Sequence, residues 1–172
     1  MADFNISTFT SRFQDGARPN LFEVRITDVS DEFQFLGKGA QLPGSTLGVI
    51  EVPYYGRMVK LAGNRTFAEW TVTVLNDENF AIRTALEEKM AIINGHETNT
   101  SDGTITLQDY SFRGEVIQYS RAGNEIVTYT FENMFPTDIS AIELDWGSND
   151  MIEEYTVTFA YQYFTSSIAT LR

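Results

Sequence analysis

The chain has 172 residues, 42% of them hydrophobic and 13% aromatic, the length of one domain with enough apolar surface to bury a core. It contains no cysteine and one histidine, His96, which excludes a disulfide framework and a thiolate metal site and disfavours zinc ligation or histidine-based acid/base catalysis. Its formal net charge of -12 argues against a surface that grips nucleic acid, because phosphate binding needs clustered Lys and Arg.

The charge is unevenly distributed. Residues 1–75 hold seven Lys/Arg against eight Asp/Glu, and residues 76–172 hold five against sixteen. Such asymmetry fits a self-associating chain whose basic part meets an acidic neighbour, and it equally fits a well-solvated surface. No run of about eighteen apolar residues is present, and the N-terminus lacks the basic start and apolar centre of a secretory signal. The expectation is a soluble, cytoplasmically made chain with no membrane contact.

Residues 1–19 carry Phe4, Ile6, Phe9 and Phe13 among polar residues without a clean period, which reads as an arm with apolar anchors. From Asn20 the pattern alternates, with Phe22, Val24 and Ile26 on one face and Glu23, Arg25 and Thr27 on the other, the mark of a half-buried strand. A turn is predicted over Asp28–Glu32 and a strand over Gln34–Gln41. The strand ends at Leu42-Pro43-Gly44, and extended structure resumes over Thr46–Val52. Pro53 removes a ladder donor, so this region should lie at a sheet edge or break there.

The segment Tyr54 to Arg65, within an extended loop over 53–66, combines Tyr54, Tyr55, Arg57, Met58, Lys60 and Arg65. Tyr and Arg bury area while still making directed hydrogen bonds, so this loop is the leading interface candidate. The clearest strand is Phe67–Leu75, with Trp70, Val72 and Val74 inward and Glu69, Thr71 and Thr73 outward. A helix is predicted over 77–93, capped at Asn76-Asp77, with Ile82, Leu86, Met90 and Ile93 as its apolar stripe and Asn94-Gly95 as its stop. His96–Gly103 is a polar loop. Further strands are expected at Thr104–Gln108, Ser111–Tyr119, Glu125–Phe135, Ile139–Trp146 and Glu154–Phe164, with a hairpin turn over Arg121–Asn124.

Chemistry-bearing motifs are sparse. Glu87-Glu88 and Glu153-Glu154 are adjacent carboxylates, and neighbours in sequence point in different directions rather than converging across a cleft. Residues 145–150, DWGSND, lack the spaced ligands of a calcium loop and read as a turn. No P-loop, dinucleotide fingerprint or nucleophile elbow occurs, so no cofactor, metal or catalytic residue is assigned. One pattern remains: Thr71 and Thr73, Thr128 and Thr130, and Thr156 and Thr158 present short, uncharged hydroxyls opposite the apolar faces of three strands. Ordinary exposed strands explain part of this. A hydrated wall lining a channel is the functional alternative.

Residues 37–80 join the LPG turn, the Tyr-Gly and basic loop, the F-x-E-W-x-V-x-V strand that starts at Phe67, and an acidic helix start. This combination resembles the tail tube proteins of contractile-tailed bacteriophages, the T-even-like family related to type VI secretion ring proteins. The likeness runs from the strand at Asn20 to the strand ending at Phe164. It implies a mainly β, β-sandwich or barrel-like domain of antiparallel sheets with one flanking α-helix, spanning 1–172. It also implies hexameric rings of self-associated copies, stacked into a tube inside a contractile sheath, assembled in the host cytoplasm and carried in the virion. Sheath, baseplate and tail-terminator proteins are the implied partners, and DNA would pass through the lumen without specific binding. Under this reading Tyr54, Tyr55, Arg57, Met58, Lys60, Arg65, Phe4 and Phe9 are ring-contact candidates, and the six threonines are lumen candidates. A tube carrying protein cargo, or a monomeric β-rich binding module or hydrolase, are the alternatives.

Overall fold

The computed structural model describes residues 5–13, 16–26, 28–97 and 105–169, with backbone only at Arg12. The elements in chain order are α1 (Ile6–Arg12), β1 (Phe22–Arg25), α2 (Phe33–Leu36), β2 (Gly37–Ala40), β3 (Ser45–Tyr54), β4 (Arg57–Phe67) and β5 (Trp70–Leu75). They continue with α3 (Ala81–Ile93), α4 (Leu107–Tyr110), β6 (Phe112–Tyr119), β7 (Glu125–Ile139), β8 (Glu154–Ala160) and β9 (Tyr163–Ser166).

Seven strands form one curled antiparallel sheet in the order β1-β6-β7-β8-β5-β2, with β9 added on β7. The long strand β7 serves two halves of it. Tyr129–Glu132 pairs with β9 and Glu125–Phe131 with β6, whereas Phe135–Ile139 pairs with β8, and Met134 meets Phe112 of β6 at the changeover. Between these stretches Asn133 takes a left-handed φ of 52°, a bulge that bends the strand and turns one ladder into two facing layers. The fold is therefore mainly β and sandwich-like, as the family resemblance implies.

Between the layers lies an apolar core. Alternation on β5 and β8 sends Trp70, Val72, Val74, Tyr155, Val157 and Phe159 inward, all buried. The Trp70 ring stacks on Phe131 at 4.3 Å and tilts against Phe159 at 5.6 Å, while its Nε1 donates to the Gln41 carbonyl at 2.8 Å. Helix α3 adds Ile82 and Leu86 to this core, and Met90 and Ile93 are half-buried on the same stripe.

Several local expectations are corrected. The N-terminal arm contains a helix, α1, because the Asn5 side chain accepts from the Ser7 amide and caps its first turn. Gln34–Gln41 is not one strand: Phe35 and Leu36 amides donate to the Glu32 carbonyl, making the short α2 before β2 begins. The main helix starts at Ala81, four residues later than expected. Asp77 still does the capping, through Oδ1 accepting from the Ala81 amide at 3.2 Å across a turn that leaves Phe80 at φ 53°. Residues 105–108 form no strand, because Thr106 and Asp109 build a capping box that starts α4. Strand β7 runs to Ile139, so the expected Ile139–Trp146 strand is replaced by irregular chain over 140–153. The final strand divides into β8 and β9 around Tyr161 and Gln162.

Tyr155 is buried, and among the described residues its hydroxyl has no hydrogen-bond partner. Burial pushes its pKa up to about 12, with the nearby Arg83 guanidinium pulling the other way. The folded chain thus holds this proton more tightly than the unfolded chain, so the contribution is intact below pH ~10 and is lost as pH rises toward the folded value. Tyr155→Phe is expected to leave stability unchanged or raise it by about 1 kcal/mol and to flatten the alkaline limb, read by urea unfolding at pH 8 and pH 11.

Candidate functional site

The expected loop over 53–66 is a β-hairpin, the two-stranded ribbon β3–β4, turned at Tyr55-Gly56. Pro53 fits because a two-stranded ribbon consists only of edges, so no neighbouring strand requires its missing amide. With ten residues in β3, the arm reaches about 33 Å. Its pairing, Tyr54↔Arg57, Val52↔Val59 and Ile50↔Leu61, gathers those six side chains on one face. The other face carries Pro53↔Met58, Glu51↔Lys60 and Val49↔Ala62. All of these residues are exposed, with Val49 61% and Ile50 53% accessible. A hairpin is marginal by itself, and a solvent-facing apolar ribbon of this size marks a contact surface.

The six candidates on the hairpin therefore separate. Tyr54, Tyr55 and Arg57 cluster at the tip, where the two tyrosine rings meet edge to face at 4.8 Å. Met58 and Lys60 lie on the opposite face, and Lys60 is 3.6 Å from Glu51 across the ribbon. Arg65 sits near the root, opposite Leu47. Between tip and root the register shifts where Gly48 meets Gly63. A Cβ on Gly63 would fall 3.0 Å from the Gly48 carbonyl group, so a larger residue would push the two strands apart at this crossing.

Tyr55 adopts a φ of 44° while 92% exposed, a conformation that favours Asn or Gly in a two-residue hairpin turn. Its ring meets that of Tyr54, its neighbour at the tip. Tyr55→Asn is expected to relieve about 1 kcal/mol of turn strain and slow hydrogen exchange of the β3–β4 amides about fivefold.

Phe9 lies on α1, where it stacks on Phe13 at 5.4 Å, and Ile6, Phe9 and Phe13 are all exposed. Phe4 lies outside the described residues. Of the six threonines, four come together. Thr71 pairs with Thr158 and Thr73 with Thr156 across β5 and β8, on the face opposite the core. Thr128 and Thr130 are separate from them, on the part of β7 beyond the Asn133 bulge. There Thr130 approaches Glu115 at 3.4 Å, and Glu132 pairs with Arg113 at 2.9 Å. Nearby, burial raises the Glu23 pKa, but hydrogen bonds from Arg25 and Tyr119 outweigh it and hold the carboxyl below its usual range.

The adjacent carboxylates take structural partners. Glu87 pairs with Arg83 at 2.9 Å, Glu153 accepts from the Asn76 amide group at 2.9 Å, and Glu154 pairs with Lys38. Among the described residues, no group of three or more His, Asp or Glu side chains is arranged to hold a metal. Sequence reasoning missed two surfaces. One comprises Ile50, Val52, Val59 and Leu61: the first two fall in the segment expected at a sheet edge and the last two inside the expected 53–66 loop, and none of the four was named as a contact residue. The other comprises Leu144, Trp146, Met151 and Ile152, exposed in the irregular 140–153 stretch and lining a groove of about 570 Å³.

An antiparallel β-body that extends a long apolar arm into solvent is the makeup of a structural building block. The family model for phage tail tube protein matches residues 4–167. The tail tube protein gp19 of Enterobacteria phage T4 is 33% identical over 162 residues, covering 92% of this chain and 98% of that one. The tail tube protein of Serratia phage KSP90 is 28% identical over 120 residues, covering 69% and 66%. In fold, the chain is similar to one in the sheath-tube complex of the extracellular contractile injection system PVC, with a TM-score of 0.67 at 13% identity, covering 96% and 99%. The chain belongs to the phage tail tube protein family, a structural component of the virion.

Proposed function

We propose that residues 1–172 act as one tail-tube domain that closes into hexameric rings, and that these rings stack into the inner tube of a contractile tail. The tube is a passive conduit for DNA and catalyses no reaction. Sheath, baseplate and terminator proteins surround and close it, a reading supported by the chain's relatives in such assemblies. The observation that carries the proposal is the β3–β4 ribbon, an apolar arm that its own subunit leaves uncovered. Rings and stacks are heterologous contacts, so each copy must carry unlike complementary surfaces. Tyr54, Tyr55, Arg57, Met58, Lys60, Arg65 and the α1 residue Phe9 serve contact between rings. The unpaired edges of β1 and β2 serve pairing within a ring, which also protects them from aggregation.

Thr71, Thr73, Thr156 and Thr158, with Thr128 and Thr130, face the lumen. Their hydroxyls hold water and carry no charge. Two arginines of β1 and β6 are engaged by carboxylates, Arg25 with Glu23 and Arg113 with Glu132. DNA phosphates would keep their counterions along such a wall and slide past it. Negative-stain microscopy of the purified full chain is the direct test, with hollow tubes of stacked six-membered rings as the expected image. A single monomeric boundary in sedimentation velocity at high concentration would sink the proposal.

A further inference from the structure

The hairpin and the 140–153 stretch leave the body at opposite ends of the same strand pair. In the β5–β8 ladder Trp70 pairs with Phe159 at one end and Leu75 with Glu154 at the other. The hairpin root is at the first end, where Phe67 packs on Tyr161 and Phe164 at 5.9 and 5.5 Å. Residues 140–153 are held at the second, by the Ser140 amide donating to the Thr156 carbonyl and the Asn76 amide to the Glu153 carbonyl. In the single copy the arm and the 140–153 surface both stand exposed.

The two surfaces are complementary. Leu144, Trp146, Met151 and Ile152 are 70–101% exposed, a patch that no element among the described residues covers. Residues 140–154 carry five carboxylates and no Lys or Arg, while the hairpin carries Arg57, Lys60 and Arg65 against Glu51 alone. The cations near the acidic end are already committed, Lys38 to Glu154 and Arg83 to Glu87. We infer that the 140–154 surface of one copy receives the β3–β4 hairpin of the next, with Tyr54, Tyr55 and Arg57 seated against Trp146. This rests on the tube reading and names the surface that ring stacking uses. Apolar side chains supply the contact area, and the charge pattern sets register and excludes the reverse orientation.

Charge exchange tests it. Lys60→Glu alone would set like charges opposite Glu51 and weaken the hairpin itself, so the arm variant is Arg57→Glu with Lys60→Gln. The receiving variant is Glu143→Lys with Asp150→Lys, both at exposed positions. Each is expected to lower pelletable polymer about tenfold or more, and the four substitutions together to restore it. Trp146→Ala, at a fully exposed position, should also lose polymer without altering the fold. Because the chain has no cysteine, Tyr54→Cys with Ser148→Cys should give an oxidised ladder of linked copies. If the receiving variant and Trp146→Ala polymerise like the parent and no ladder forms, the hairpin seats elsewhere and only the tube reading survives. If the receiving variant weakens assembly but the combination does not rescue it, the surface takes another occupant, such as α1 or a sheath protein, and the inference falls. A parent chain that never polymerises sinks the tube reading itself.

Discussion

Trp70→Ala is expected to lower unfolding free energy by about 3–5 kcal/mol, a large part of the 5–15 kcal/mol typical of a domain. The ring is 98% buried and touches both layers, stacking on Phe131 of β7 and tilting on Phe159 of β8. It also fills the space above Gly114, where a Cβ would lie 3.6 Å from the indole and 2.5 Å from the Met134 methyl. Removal leaves a cavity that two stiff ladders cannot close, and it strands the Gln41 carbonyl that accepted the indole N–H. Trp70→Phe separates these effects. It keeps most of the apolar contact and loses the hydrogen bond, so its cost should be about 1–2 kcal/mol beyond the lost ring volume. Urea unfolding followed by far-ultraviolet circular dichroism provides both numbers. A Trp70→Ala chain within 1 kcal/mol of the parent would show that the two layers collapse onto each other without it.

Excising residues 49–62 and joining 48 to 63 through Asn-Gly is expected to abolish polymerisation while leaving the monomer stable within about 0.5 kcal/mol. No residue of the excised stretch belongs to the buried core, whose members come from β1, α2, β5, α3, β6, β7 and β8. Phe67, which anchors the root on Tyr161 and Phe164, is retained. The excised arm contributes exposed apolar surface and one net positive charge, so the shortened chain should also be more soluble. Sedimentation velocity reads assembly and thermal denaturation reads the fold. Tubes from the shortened chain would remove the arm from the mechanism, and an unfolded monomer would make it part of the fold.

These two cases mark what the sequence makes legible. Trp70, Val72 and Val74 announce their burial by simple alternation, and the stripe from Ile82 to Ile93 announces a helix, because both signals are local and periodic. The apolar residues of β3 carry the same strand signal as Trp70 yet end in solvent. Periodicity reports that a face wants covering, and does not say which molecule covers it. The Thr106–Asp109 capping box was present in the letters and was overridden by β propensity. The double pairing of β7 and the meeting of Thr71 with Thr158, 87 residues apart, depend on register between strands, which no local pattern records. Trp146 was legible as the end of an expected strand and part of an expected turn; its exposure follows from β7 ending at Ile139.

The arm and the 140–154 surface stand at opposite ends of the β5–β8 ladder, which gives the subunit a direction. In the proposed tube, every newly added copy then offers the same vacant end as its predecessor. Nothing in such a repeat records how many units came before, so growth carries no internal stop signal. The finished length must be imposed by some component other than this chain, and the two ends of the filament are chemically distinct targets for it.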